Sequence, residues 1–452
     1  MPELMIIGGG LAGSEAAWQA AERGITVRLH EMRPEQSTPA HTTGNLAEMV
    51  CSNSMGSNLI DRASGLLKAE LNRLKSLLLG CAEATALPAG GSLAVDREQF
   101  AALVTKKITS HPRIELVREE VKYIPEGPVV IASGPLTSPS LSNSIQRLTG
   151  QKHLFFYDAI APIVDVDSVN MQIAFRASRF ERGQLEEGDY LNCPMDENQY
   201  TVFTHELCHA KRIELRQFET KLLKGVKGGA GKFFEGCLPV EILAERGAET
   251  LAFGPLRPVG LTDPRTGKYP FAVLQLRQDN LAGTLYNMVV FQTNLTISEQ
   301  KRVFHMVSGL ENAEFLRYGQ MHRNTFIASP LLLKPTLQYI HREDLFFAGQ
   351  IIGIEGYVAN IATGLLAGVN AARIIRGMKT LTLPLTTMLG ALCHYISHSE
   401  MKYFQPMKAN FGILPIVNRK IRGKPKRAMV HVKKSLSDLD TFLINENFFE
   451  SS

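Results

Sequence analysis

Two of the six cysteines have neighbours suited to thiol chemistry. Cys51 lies in Met49-Val50-Cys51-Ser52-Asn53-Ser54, and Cys237 in Phe233-Phe234-Glu235-Gly236-Cys237-Leu238-Pro239. A free cysteine is most often a small buried hydrophobe. Glycine, polar or basic neighbours instead expose and activate a thiolate, which serves as a nucleophile or a base. The six cysteines (51, 81, 193, 208, 237 and 393) are never closer than 15 residues apart. That spacing excludes a C-x-x-C redox motif and a zinc ribbon, and it argues against a disulfide scaffold. A reduced, cytoplasmic chain is expected. His205-Glu206-Leu207-Cys208-His209 fits H-E-x-x-H, but no third ligand follows and Lys211 and Arg212 come directly after. The reading is a surface helix, with no metal.

Gly8-Gly9-Gly10-Leu11-Ala12-Gly13 fits G-x-G-x-x-G. It follows an apolar strand (residues 4–7) and opens a helix predicted from Ala12 to Arg23. A second strand, Ile25–Glu31, then ends on Glu31. The glycines allow a tight turn, close approach of a pyrophosphate and close helix packing, and Glu31 is placed to accept from a ribose hydroxyl. A second glycine segment, Phe347-Ala348-Gly349-Gln350, precedes a helix near the C-terminus. A domain for NAD alone does not need such a returning strand, whereas a two-part FAD domain uses it to bring a second helix N-terminus to the flavin side. FAD is therefore the expected cofactor, with Gly8, Gly9, Gly10, Leu11, Ala12, Gly13, Glu31, Gly349 and Gln350 at its site.

The elements that position these residues divide the chain. At 452 residues, with 44% hydrophobic and 21% charged, it is an ordinary globular composition of roughly two to four domains. Residues 34–56 read as an irregular loop near a ligand, 60–80 as helical, Asp96–Ser110 as a helix capped by Asp96, and Val129–Ala132 as a buried parallel strand. After about residue 155 strand-like runs (APIVDVD, MQIAFRASR, YTVF) alternate with charged helices. The α/β pattern returns near 337–349. The expected fold is α/β: a Rossmann-like FAD-binding domain of the glutathione-reductase type with an inserted α+β domain. Its parts are 1–155, the insertion 156–330, and 331–452. Met1 runs through apolar Leu4–Ile7 straight into glycines, with no signal peptide. Leu345–Val369 is apolar, but five glycines with Gln350, Glu355 and Asn360 favour a buried strand, loop and helix over a membrane span.

Net charge is +5, yet residues 401–437 hold ten Lys/Arg and no acid. Arg419, Lys420, Arg422, Lys424, Lys426 and Arg427 form the densest run. Gly423 and Pro425 predict an extended or turn-like path with side chains free to reach phosphates. A solvated tail is the rival reading. Lys224, Lys227 and Lys232 lie in a glycine-rich basic loop beside Cys237, which is not a P-loop because Val226 and Phe233 replace its glycine and hydroxyl residues.

The segments GGGLAGSEAAWQAAERG, HEMRP, LAEMVCSNS, LPAGGSLAVDREQF, FFEGCLPVE, FGPLRPVGL and LFFAGQIIGIEGYVANIATGLLAG resemble the folate- and FAD-dependent tRNA (uracil-5-)-methyltransferase family. The likeness covers nearly the whole chain, in order. It implies formation of 5-methyluridine in the T-loop of tRNA, with methylenetetrahydrofolate as carbon donor and NAD(P)H as reductant, in the cytoplasm, without a membrane or a required protein partner. By motif, the family's two functional cysteines fall on Cys51 and Cys237. Uracil C5 becomes nucleophilic once a thiolate adds to C6. That thiolate is assigned to Cys237, near the basic loop. Cys51 then acts as base for the C5 proton or as a shield for the flavin side. Three alternatives stand: the same chemistry on ribosomal RNA by a paralogue, a GidA-like wobble-uridine enzyme that works with a partner, and a non-catalytic flavin-binding RNA module.

Overall fold

The structure, a computed structural model, describes residues 3–38, 40–151, 154–213, 238–416 and 423–449. The chain opens with β1 (Glu3–Ile7), α1 (Leu11–Glu22) and β2 (Thr26–His30). An irregular stretch leads to β3 (Ser54–Ser57), α2 (Ala63–Arg73), α3 (Leu77–Ala84), β4 (Ala86–Leu87) and β5 (Ser92–Val95). Then come α4 (Arg97–Thr109), capped by Asp96 as its sequence predicts, β6 (Ile114–Val117), β7 (Val129–Ile131) and α5 (Pro139–Thr149).

β8 (Leu154–Ala159) leads into an antiparallel sheet built from β9 (Ile163–Asp165), β10 (Phe175–Ala177), β11 (Tyr190–Met195), β12 (Ala272–Gln278), β13 (Leu285–Met288) and β14 (Phe315–Arg317), in the order β10-β11-β12-β13-β9-β14. α6 (Glu197–His209) packs on it over a separate core that includes Phe203, Leu207, Leu274 and Phe304. The YTVF run is the first half of α6, not a strand. Asp196 accepts from the Gln199 N–H at 2.8 Å and Gln199 answers to the Asp196 N–H, a capping box that sets a helix start despite the β-prone side chains.

β15 (Met321–Phe326) returns antiparallel along β8. β16 (Gln338–Tyr339) and β17 (Arg342–Phe347) complete the first sheet, ordered β16-β17-β7-β1-β2-β6 and parallel except at β16. β18 (Ile354–Glu355) precedes α7 (Tyr357–Ile375) and α8 (Met388–His398); β19 (Met407–Lys408) pairs with β18, and α9 (Lys424–Asn445) closes the described chain. The 345–369 stretch is thus strand, turn and helix. α7 has the length and hydropathy of a membrane span but is 83% buried in the protein. A Cβ on Gly364 or Gly368 would lie 2.2 or 2.4 Å from the carbonyl oxygens of Ala12 and Ala16, so α1 and α7 run backbone against backbone.

The basic C-terminal run departs from expectation. Lys424, Lys426 and Arg427 occupy the first turn of a 22-residue helix, not an extended path. Proline in the first turn costs no hydrogen bond and sets a helical φ, and Gly423 at φ 92 serves as the cap. Arg419, Lys420 and Arg422 lie outside the described residues, as do Cys237, Lys224, Lys227 and Lys232.

Candidate functional site

β1 lies between β2 and β7, where the strand order reverses, and the carboxyl ends of β1, β7 and β17 are in register through Ile7, Ile131 and Phe347. A ligand crevice forms at such a switch point. Gly8, at φ 103, turns the chain there, and a Cβ on Gly13 would lie 1.8 Å from the Gly8 carbonyl oxygen. Gly10 has nothing within 4 Å of its Cβ direction and opens onto a groove of about 1010 Å³. Gly8, Gly10, Leu11, Ala12, Glu31, Gly349 and Gln350 all line that groove. Gly9 sits behind it, its N–H donated to Glu31 Oε2 at 2.9 Å.

Glu31 also accepts from the Arg33 Nε and backbone N–H, at 2.9 and 3.0 Å, and Arg33 reaches on to Glu48 at 3.0 Å. Burial opposes ionisation of Glu31, but the Arg33 hydrogen bond and charge outweigh it and hold the carboxyl below its usual range. Arg33 lies two residues from Glu31 in HEMRP, and the fold brings Glu48, from LAEMVCSNS, onto the pair.

The groove continues, through Val50, Pro135, Leu136, Gln350, Tyr357 and Asn360, into a second cavity of about 910 Å³. Cys51 lines this second cavity. Its N–H and that of Ser52 both donate to Tyr357 Oη, at 2.9 and 3.1 Å, which ties the cysteine loop to the first turn of α7. Burial, then the charge of Cys51, push the Tyr357 phenol up, so it stays protonated. The other described cysteines suit thiolate chemistry poorly. Burial raises Cys81 to about 11, and Cys193 and Cys393 to about 12.

An arginine cluster closes the far side of the cysteine loop. Arg277 Nε donates to Asn53 Oδ1 at 2.9 Å, and the Asn53 amide donates to Val95 and Gln278 carbonyls at 3.1 and 2.8 Å. Arg97 pairs with Asp279. Burial and then Arg97 depress the Arg317 guanidinium, while the charges of Asp279 and Cys51 support it. The positive charge of Arg317 in turn favours an anion at Cys51.

The helix N-termini of α1 and α7, at Gly10 and Gly356, face this continuous space and suit phosphate oxygens and an electron-rich ring. Asn360, which lines both cavities, has a buried Oδ1 with no hydrogen-bond partner among the described residues. These residues fit FAD. His205 and His209 stack at 4.2 Å on the outer face of α6, and Glu206 pairs with Arg302. Among the described residues no group of three metal-binding side chains forms.

Residues 3–379 match the family profile described as glucose inhibited division protein A. The chain is 54% identical over 439 residues to the methylenetetrahydrofolate–tRNA-(uracil-5-)-methyltransferase TrmFO of Heliobacterium modesticaldum, covering 97% of each chain. It is 54% identical over 425 residues to the protein of that name in Enterococcus faecalis, covering 94% of this chain and 95% of the other. Two solved structures of Aquifex aeolicus GidA share the fold, with TM-scores of 0.67 and 0.68 at 15% identity over 98% and 100% of this chain and 76% of theirs. The chain belongs to the methylenetetrahydrofolate–tRNA-(uracil-5-)-methyltransferase TrmFO family, within the wider family described as glucose inhibited division protein A.

Proposed function

We propose that this protein methylates C5 of a uridine in the T-loop of tRNA, taking the carbon from methylenetetrahydrofolate and the electrons from NAD(P)H through FAD. The observation that carries the reading is the continuity of the dinucleotide groove with the Cys51 cavity. Bound there, FAD supplies the two electrons that take the transferred carbon from the methylene to the methyl level.

The remaining work belongs to the chain. Cys237 adds to uracil C6 and makes C5 nucleophilic. Cys51, held by Tyr357 and within the field of Arg317, takes the C5 proton or shields the flavin side. Residues 1–155 and 331–452 hold the cofactor and the insertion 156–330 faces the RNA. The cations at the start of α9 add a second contact with phosphates. No metal and no protein partner enter this scheme.

The test is direct. The protein is incubated with tRNA lacking 5-methyluridine, FAD, NAD(P)H and methylenetetrahydrofolate labelled at the methylene carbon. Nucleoside mass spectrometry should find the label in 5-methyluridine. Label appearing only when ribosomal RNA replaces tRNA, or only after adding a second protein, would reject the reading.

A further inference from the structure

The loop after β10 has a conformation that its own sequence does not favour. Phe180 and Glu181 are consecutive non-glycine residues at φ 56 and φ 58. Left-handed backbone at a bulky residue is unfavourable and persists only where the surroundings impose it; such strain clusters at functional sites. Here the Phe180 N–H donates to the Gly260 carbonyl at 3.0 Å, and the ring stands over Gly260 so closely that a Cβ there would approach it to 3.0 Å. The result is an aromatic ring that remains 58% exposed. A hydrophobic side chain forced outward stabilises nothing in the fold that burial would not serve better.

One arginine lies against the ring and two more lie close to its loop. Arg182 lies 5.9 Å from its centroid. Arg179 donates to the Val259 carbonyl at 2.9 Å, two residues from Arg257. Glu181, Glu186 and Glu187 stand on the same loop, yet among the described residues none of the three arginines forms an ion pair. Burial and then the like charge of Arg257 push Arg179 down to about 10, and among the described residues neither guanidinium has an ion-pair partner. The patch also connects to the site. Arg179 Nε donates to Gln275 at 2.9 Å, and Gln275 shares a face of β12 with Arg277, which holds Asn53 beside the Cys51 loop.

We infer that this patch, Phe180 with Arg179, Arg182 and Arg257, is where the protein receives its RNA: the ring stacks on an unpaired base beside the target uridine and the arginines take the flanking phosphates. Exposed aromatics interleaved with unpaired cations suit RNA loops, where unstacked bases offer a π-face and phosphates lie close by. The inference rests on the proposed tRNA methylation and locates its substrate.

Binding of unmodified tRNA to the FAD-loaded protein, followed by fluorescence anisotropy across a salt series, tests it. Phe180→Ala should raise Kd about tenfold with the salt dependence unchanged, and Phe180→Trp should bind as the parent does. Arg257→Gln should raise Kd and reduce the slope of log Kd against log salt by about 0.7 to 0.9. FAD absorbance and melting temperature should match the parent in the Trp and Gln variants, so these decide the matter if Phe180→Ala folds poorly. Parent affinity and salt slope in Phe180→Ala and Arg257→Gln overturn the inference, as does loss of binding in Phe180→Trp. A parent protein that makes 5-methyluridine while these variants bind normally loses the surface and keeps the function. A parent that makes none, but whose tRNA binding shifts as described, keeps the surface and loses the function.

Discussion

Arg277 and Asn53, 224 residues apart in sequence, meet at 2.9 Å and fasten the Cys51 loop to the middle of the second sheet. Arg277 is 7% exposed and Asn53 fully buried, so neither has water as a substitute partner. Asn53→Ala should destabilise the protein by about 2–3 kcal/mol, since it strands a buried guanidinium. It should also loosen the loop, so Cys51 reacts faster with iodoacetamide. Calorimetry and mass-resolved alkylation read the two effects; unchanged melting with unchanged alkylation would show that the contact does not hold the loop.

Arg317 bears on the same thiol from β14. Replacing it with Gln removes a positive charge that supports an anion at Cys51. Alkylation of Cys51 at neutral pH should slow severalfold, because the thiolate is the reactive form. Arg317→Lys should retain most of the parent rate. Equal rates in the Gln variant would remove Arg317 from the electrostatics of the site.

Gly10 and Gly13 make opposite predictions from one motif. A side chain at Gly10 meets no protein atom but points into the groove, so Gly10→Leu should fold normally and purify without flavin absorbance. A Cβ at Gly13 meets the Gly8 carbonyl, so Gly13→Ala should cost about 3 kcal/mol of stability whether or not FAD is present. Flavin retained by Gly10→Leu would place the cofactor elsewhere.

Glu70 sets a pH dependence. Its buried carboxylate accepts from the Met388 and Leu389 N–H groups at the start of α8, at 2.6 and 3.0 Å, and from Ser435 of α9 at 2.6 Å. Burial dominates and raises its pKa from 4.5 to about 7. A raised acid binds its proton more tightly when folded. Its contribution is therefore full below about pH 4.5 and lost as pH rises through 7, a difference of about 3 kcal/mol. Carboxylates held low, such as Glu31 and Glu48, act in the opposite sense, so the comparison must be with Glu70→Gln. Urea unfolding at pH 5 and pH 7.5 should show that difference shrinking in the variant; parallel pH profiles would contradict it.

The glycine turn, its flanking strands and helix, and the returning strand at 342–347 were legible because each is a local pattern of a few residues. The surroundings of Cys51 were not. Tyr357 stands 306 residues away, and Arg277 and Arg317 are polar residues in segments without motif spacing. Only the approach of the second sheet to the cysteine loop gives them a role. The C-terminal helix was missed for a different reason. Gly423 and Pro425 disfavour a helix interior, but at a helix start they are a cap and a first-turn residue. YTVF misled in the same way, its β-prone side chains overruled by the Asp196 cap.

The backbone contact of α1 with α7 also bears on how the protein is made. The ribosome releases α1 early, but Gly364 and Gly368, the surface that α1 packs against, emerge some 350 residues later. Until then the first βαβ unit has half a cradle and an uncovered alanine face at Ala12 and Ala16. On the proposed cofactor site, capture is a late event in synthesis, and a chain interrupted before α7 should purify without flavin.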